Sequence, residues 1–64
     1  MFKELRESKN YSQEALAKCL NVKQASVSMW EVGKTRPTFE KIGQIAVLFG
    51  VSEQEIINCF KKDK

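Results

Sequence analysis

Lys23, Gln24, Ala25, Ser28 and Met29 are side chains suited to reading a surface of hydrogen-bonding groups and methyls. The amide of Gln24 can donate and accept at once, which matches the N6 and N7 edge of adenine. Ala25 and Met29 offer apolar surface of the kind that meets a thymine methyl. Met29 equally fits a gap-filling role against a neighbouring helix. The spacing puts these residues on one face. Val27 and Trp30, at i and i+3, mark the inward side of a helix over about Gln24 to Val32, leaving Gln24, Ala25, Ser28 and Met29 opposite. Catalytic chemistry has no such support: there is no His, and the two Cys lack a CxxC spacing. No nucleophile–base pair and no phosphate-cradling glycine loop can be assembled, so the expectation is recognition without catalysis, metal or cofactor.

The elements that must position this face lie in QEALAKCLNVKQASVSMWEV, from Gln13 to Val32. Leu16, Ala17 and Leu20 form one apolar stripe of helical period, and the small Ala17 lets a second helix cross closely. Asn21 tolerates the left-handed conformation that ends a helix, so it is read as the hinge, with Val22 filling the corner. Gly33 stops the second helix. Two short helices across a tight turn are the arrangement that presents a helix N-terminus to the major groove of DNA, which brings Lys23, Gln24, Ala25, Ser28 and Met29 within reach of base edges. Ser12 and Gln13 begin the helix before it, where backbone N–H groups and the helix dipole favour a phosphate.

Three further helices and no strands complete the reading. The first runs from about Phe2 to Lys9, burying Phe2 and Leu5, with Asn10 as a left-handed stop and Tyr11 folded back as its hydrophobic contact. Ser12 caps the second helix. Thr38, after Pro37, caps the fourth, whose apolar set is Phe39, Ile42, Ile45, Ala46 and Phe49, up to Gly50. Ser52-Glu53-Gln54-Glu55 reads as a capping box for a fifth helix carrying Ile56, Ile57 and Phe60, and the Lys61 to Lys64 tail is expected to fray. Without repeats, linkers or low-complexity segments, residues 1–64 read as one all-α domain whose two-helix unit covers about 13–32. At 64 residues the chain lies near the lower size limit for folding without disulfides. The net charge of +3 is small, but its distribution is uneven. Lys9, Lys18, Lys23, Lys34 and Arg36 face only Glu14 and Glu31 across residues 9–36, whereas residues 50–60 carry Glu53 and Glu55 alone. A basic region beside an acidic one orients a molecule in the field of a polyanion. No apolar run has membrane-spanning length and the N-terminus lacks a signal-peptide pattern, so a cytoplasmic protein is expected, with Cys19 and Cys59 as free thiols.

The flanks LRESKNYSQEALA, WEVGKTRPTFEKI and LFGVSEQEII, with the SQ-x-x-LA and WE-x-G-K-x-x-P patterns, carry a resemblance over nearly the whole chain. It resembles the lambda-repressor/Cro-like helix-turn-helix (XRE) family of DNA-binding domains. The resemblance implies five helices with a helix-turn-helix formed by helices 2 and 3, and sequence-specific double-stranded DNA binding by a transcriptional regulator, a repressor of bacterial or phage type. It implies phosphate contacts from Ser12 and Gln13, with Gln13 also bracing Gln24. It further implies a second phosphate clamp from Lys34, Thr35 and Arg36, with a hydroxyl contact from Ser26. Arg6 and Glu31 are implied to pair with each other, outside the DNA footprint. Lys23 departs from the family's usual Ser or Thr cap, a loss of about 1 kcal/mol that also sets a cation at the positive end of the helix dipole. A phosphate or guanine contact and simple surface drift both account for it. Since one such module buries only roughly 600–1,000 Å² on DNA, a homodimer on a pseudo-palindromic operator is expected. Its candidate seam is Val47 with Ile56, Cys59 and Phe60, residues that fit the core as well. The alternative is a protein-binding module such as an antitoxin, with Met29, Val32 and Val47 as partner surface, a reading that leaves Lys34 and Arg36 without a role.

Overall fold

The computed structural model describes residues 2–61. Among them are helices α1 (Phe2–Ser8), α2 (Gln13–Leu20), α3 (Gln24–Val32), α4 (Phe39–Phe49) and α5 (Glu53–Phe60), with no strand. The all-α, lambda-repressor-like arrangement expected from the sequence is therefore the one formed. Of the tail expected to fray, Lys61 is exposed and non-helical, and residues 62–64 lie outside the described residues.

Local chemistry sets most of the boundaries. Ser12, Thr38 and Ser52 stand in extended conformation before α2, α4 and α5 and accept from the backbone N–H groups of Ala15, Lys41 and Glu55 at 3.0, 3.3 and 3.2 Å. Each bond satisfies one of the N–H groups that a helix leaves without a partner. Left-handed residues end the first four helices: Asn10 (φ 67°) beyond α1, then Asn21 (φ 58°), Gly33 (φ 85°) and Gly50 (φ 70°). At the α2–α3 turn the Val22 N–H donates to the Ala17 carbonyl at 3.0 Å, which reverses the chain within one residue of Leu20.

Leu16, Leu20, Val27, Ile45 and Ile56 are fully buried at the centre. Phe2 joins α1 to the rest. Its ring lies 6.3 Å edge-on from Trp30, 6.1 Å from Phe49 and 5.1 Å from Phe60, and Tyr11 adds a contact with Phe49 at 5.5 Å. A tie not anticipated from the sequence is Lys41 of α4, whose Nζ donates to the Leu20 carbonyl at 2.7 Å. It satisfies a carbonyl at the C-terminal end of α2 and puts a cation at the negative end of that helix dipole.

Two expectations need correction. Ile56 is fully buried in the core and cannot belong to a dimer seam. Cys59 and Phe60 are half-buried and pack inward as well, and burial pushes the Cys59 thiol pKa up. Phe39, expected in the core, is 83% exposed. Its angular position on α4 matches that of Ala46, but it stands one turn beyond Ile42, past the end of the buried layer. It flanks an open groove of about 380 Å³ lined by Pro37, Ile42, Ile57 and Phe60.

Arg6 is buried, 6% exposed, and the side chain of its partner Glu31 is buried with it. Its Nε donates to Glu31 Oε2 at 2.6 Å, its Nη1 donates to the Tyr11 carbonyl at 2.6 Å, and its Nη2 lies 3.8 Å from Glu7. The pairing implied by the resemblance is thus present and ties α1 to α3. Removing either partner strands the other charge, so Arg6→Ala and Glu31→Ala are each expected to cost about 3–5 kcal/mol. Urea denaturation should show the double variant losing less than the sum of the two single losses. Strict additivity would mean that the pair is not coupled.

Candidate nucleic-acid interface

Val27 and Trp30 turn inward from α3, which leaves Lys23, Gln24 and Ala25 exposed at its N-terminal end. Met29 is 37% exposed, and Ser26 and Ser28 are half-buried. The five side chains expected to read bases therefore occupy one end and one side of α3, with Ser28 and Met29 further along and more recessed. Lys23 stands at the N-cap in extended conformation and makes no side-chain cap bond, so the first turn of α3 lacks the side-chain acceptor that α2, α4 and α5 have.

The N-terminus of α2 approaches this surface. Gln13 donates through Nε2 to Glu31 Oε1 at 2.8 Å, while its Oε1 accepts from Gln24 Nε2 at 3.4 Å. Gln24 and Glu31 lie about two turns apart on α3, and Gln13 spans them from α2. The bracing of Gln24 by Gln13 is present, and it continues inward to Glu31, a step that sequence reasoning did not include. Ser12, beside Gln13, is exposed, and its hydroxyl already accepts from the Ala15 N–H.

After Gly33 the chain turns into an exposed loop carrying Lys34, Thr35 and Arg36. The Lys34 and Thr35 N–H groups donate to the Met29 carbonyl at 3.0 and 3.5 Å, and the buried Pro37 anchors the far end. Two cations are thereby held on a short tether at the C-terminal end of α3, while Ser12 and Gln13 sit beside its N-terminal residue. Of the expected seam residues, Val47 stands apart on α4 and is 82% exposed. Among the described residues no helix is long and apolar enough to cross a membrane.

A helix-turn-helix family model matches residues 2–56. The HTH-type transcriptional activator BcrR of Enterococcus faecalis is 38% identical over 55 residues, which cover 86% of this chain and 27% of that relative. The chain thus spans little more than a quarter of the relative's length. No solved structure matches with significance. The chain belongs to the helix-turn-helix family, of the lambda-repressor/Cro-like type that its motifs resemble.

The missing cap on α3 has a measurable consequence. Lys23→Ser supplies the absent acceptor and is expected to stabilise the fold by about 0.5–2 kcal/mol. Thermal and urea unfolding would register the gain; an unchanged or lower stability would mean that the first turn of α3 is already satisfied.

Proposed function

We propose that this helix-turn-helix chain binds double-stranded DNA sequence-specifically as a transcriptional regulator, with α3 in the major groove. The observation that carries the reading is the layout around α3. A polar and small-residue face at its N-terminal end lies between two groups of phosphate-binding type, Ser12 with Gln13 on one side and Lys34, Thr35 and Arg36 on the other. In this reading Gln24 contacts an adenine edge, Ala25 and Met29 meet thymine methyls, and Lys23, Ser26 and Ser28 add polar contacts at the groove. No catalysis, metal or cofactor enters. Repression needs only occupancy of an operator, whereas activation also needs a contact with the transcription machinery, so repression is the direction proposed here. The similar Enterococcus protein is named an activator, and a reporter placed under the selected operator decides the sign for this chain.

The tests separate base reading from phosphate clamping. Gln24→Ala should lose about 1–3 kcal/mol of preference for a site enriched from random duplexes while its affinity for random duplex stays unchanged. Lys34→Ala and Arg36→Ala should weaken binding to every sequence alike, and each should lower the slope of log K against log salt by about 0.9 per phosphate contact. Equal losses on enriched and random DNA in Gln24→Ala would remove its base-reading role, and an unchanged slope would remove the clamp. No salt-dependent binding to any duplex would leave the protein-binding alternative.

The dimer is part of the same proposal. Two recognition helices read successive major grooves when their centres lie about 34–36 Å apart. The described residues extend over 32 × 24 × 22 Å, so two copies reach that separation only with a seam away from α3. Val47 on α4 meets this requirement, and Phe39 adds a second exposed apolar side chain on the same helix. Val47→Glu should weaken binding to a full pseudo-palindromic operator far more than to one half-site, without lowering monomer stability. Non-cooperative binding of one molecule at a time, unaffected by Val47→Glu, would overturn the dimer.

A further inference from the structure

We propose that Glu31, held by Arg6, sets the donor–acceptor polarity of Gln24 through Gln13 and so makes the α3 surface select adenine over guanine. This rests on the base-reading role of Gln24 proposed above and assigns specificity to residues that never reach DNA.

The argument follows hydrogen bonds outward from the core. The Glu31 side chain is 5% exposed, and one of its oxygens is taken by Arg6 Nε at 2.6 Å. A carboxylate paired with a guanidinium can only accept, so the group of Gln13 that faces it, at 2.8 Å, has to be the NH2. A primary amide has one donor end and one acceptor end. Committing the Gln13 nitrogen inward therefore turns its oxygen outward, toward Gln24. That oxygen accepts, so Gln24 answers with its own nitrogen, as found at 3.4 Å. One N–H of Gln24 is then used, and the remaining N–H and the oxygen stand side by side. A paired donor and acceptor complement the N7 and N6 edge of adenine, whereas guanine offers two acceptors there, O6 and N7.

The opposite polarity spoils this match. With the Gln13 amide reversed, its NH2 faces Gln24, the Gln24 oxygen turns inward to accept with one lone pair, and the outward donor and acceptor exchange places, so that they no longer line up with N7 and N6 of an adenine held in the same frame. Nothing in the Gln13 and Gln24 side chains themselves chooses between these two states. The acceptor-only Glu31 makes the choice, and the Arg6 Nε bond fixes the position from which it does so.

The test uses a duplex enriched by the wild-type protein from a random-sequence pool, and copies of it in which each A·T pair of a half-site is replaced in turn by G·C. Wild type should discriminate against the G·C copy at one position by roughly 5- to 150-fold in Kd. Glu31→Gln, whose oxygen is held by the Arg6 donor and whose NH2 then faces Gln13, should reverse the Gln13 amide and bring that ratio close to one while ratios at the other positions stay as they were. The double variant Arg6→Met with Glu31→Leu should do the same; it replaces the buried pair with apolar side chains, an exchange that small domains often tolerate. Unfolding curves accompany both variants. A purely structural role would weaken all duplexes in parallel and preserve the ratio, and that result would overturn the inference.

The wild-type protein supplies a reading that no folding defect can obscure. Nuclear Overhauser contacts should run from the Gln13 NH2 protons to the Glu31 side chain, and from the Gln24 NH2 protons to Gln13. The reverse pattern would overturn the inference. If wild type enriches no sequence at all, the base-reading function fails and the inference with it. If it enriches a site but shows no A-over-G discrimination at any position, only the inference fails.

Discussion

The buried ion pair between Arg6 and Glu31 is the contact on which the rest of this small structure depends. Charged groups leave water at a high cost, and a pair of this kind persists only when its remaining donors and acceptors are also matched. Here they are. The guanidinium reaches Glu31, the Tyr11 carbonyl and Glu7, the carboxylate also accepts from Gln13, and among the described residues no buried side-chain nitrogen or oxygen lacks a partner. Net stability is not the main consequence, because apolar residues of similar volume often replace such pairs without loss. Direction is. An apolar contact tolerates rotation and slip, whereas these bonds fix α1, the turn at Tyr11, α2 and α3 in one mutual register. The apolar core supplies the driving force, and the pair selects which packing it stabilises.

Around that register the helices are kept short by local chemistry. Only Asn21, Val22 and Lys23 stand between α2 and α3, so the crossing of the two helices is set by the turn, with its Val22-to-Ala17 bond, as well as by the packing of their buried faces. Lys41 reinforces the same junction from α4 through the Leu20 carbonyl. The helix-turn-helix is thereby held from behind at several points while its outward surface carries few internal bonds. A surface that meets a partner through side-chain hydrogen bonds gains from this division. The backbone arrives already positioned, and the ordering cost falls on a few side chains.

The parts of the fold that were legible in the sequence are those decided within a few residues. Ser12, Thr38 and Ser52 as caps, Asn10 and Asn21 as left-handed stops, and Val27 with Trp30 as the inward side of α3 all follow from chemistry acting over one helical turn. The errors share a different origin. Helical periodicity gives the angle of a side chain about its axis and says nothing about what stands opposite at that height. Phe39 has the angle of a core residue but extends past the packed layer, while Ile56, read as possible seam, points at full depth into it. Gln13 was legible only in part and the tie from Lys41 not at all, because the partners that define them, Glu31 and the Leu20 carbonyl, are 18 and 21 residues distant. A Gln ahead of an amphipathic stripe announces a helix start; its commitment to a carboxylate on another helix is a tertiary fact.

Lys23 stands where the firmly bonded interior of the helix pair gives way to its outward surface. The other helices preceded by a capping residue, α2, α4 and α5, have a hydroxyl bound to their first turn, and α3 alone has a lysine with no such bond. A cation at the positive end of a helix dipole is unfavourable in isolation. A phosphate reverses the balance, because the same lysine and the same exposed N–H groups then converge on a negative charge. The edge expected to meet DNA thus lacks a side-chain cap, while behind it Arg6, Glu31 and Gln13 are bonded to one another. Local rules and overall fold disagree at this one helix end, and such disagreements concentrate where a surface is shaped for something outside the chain.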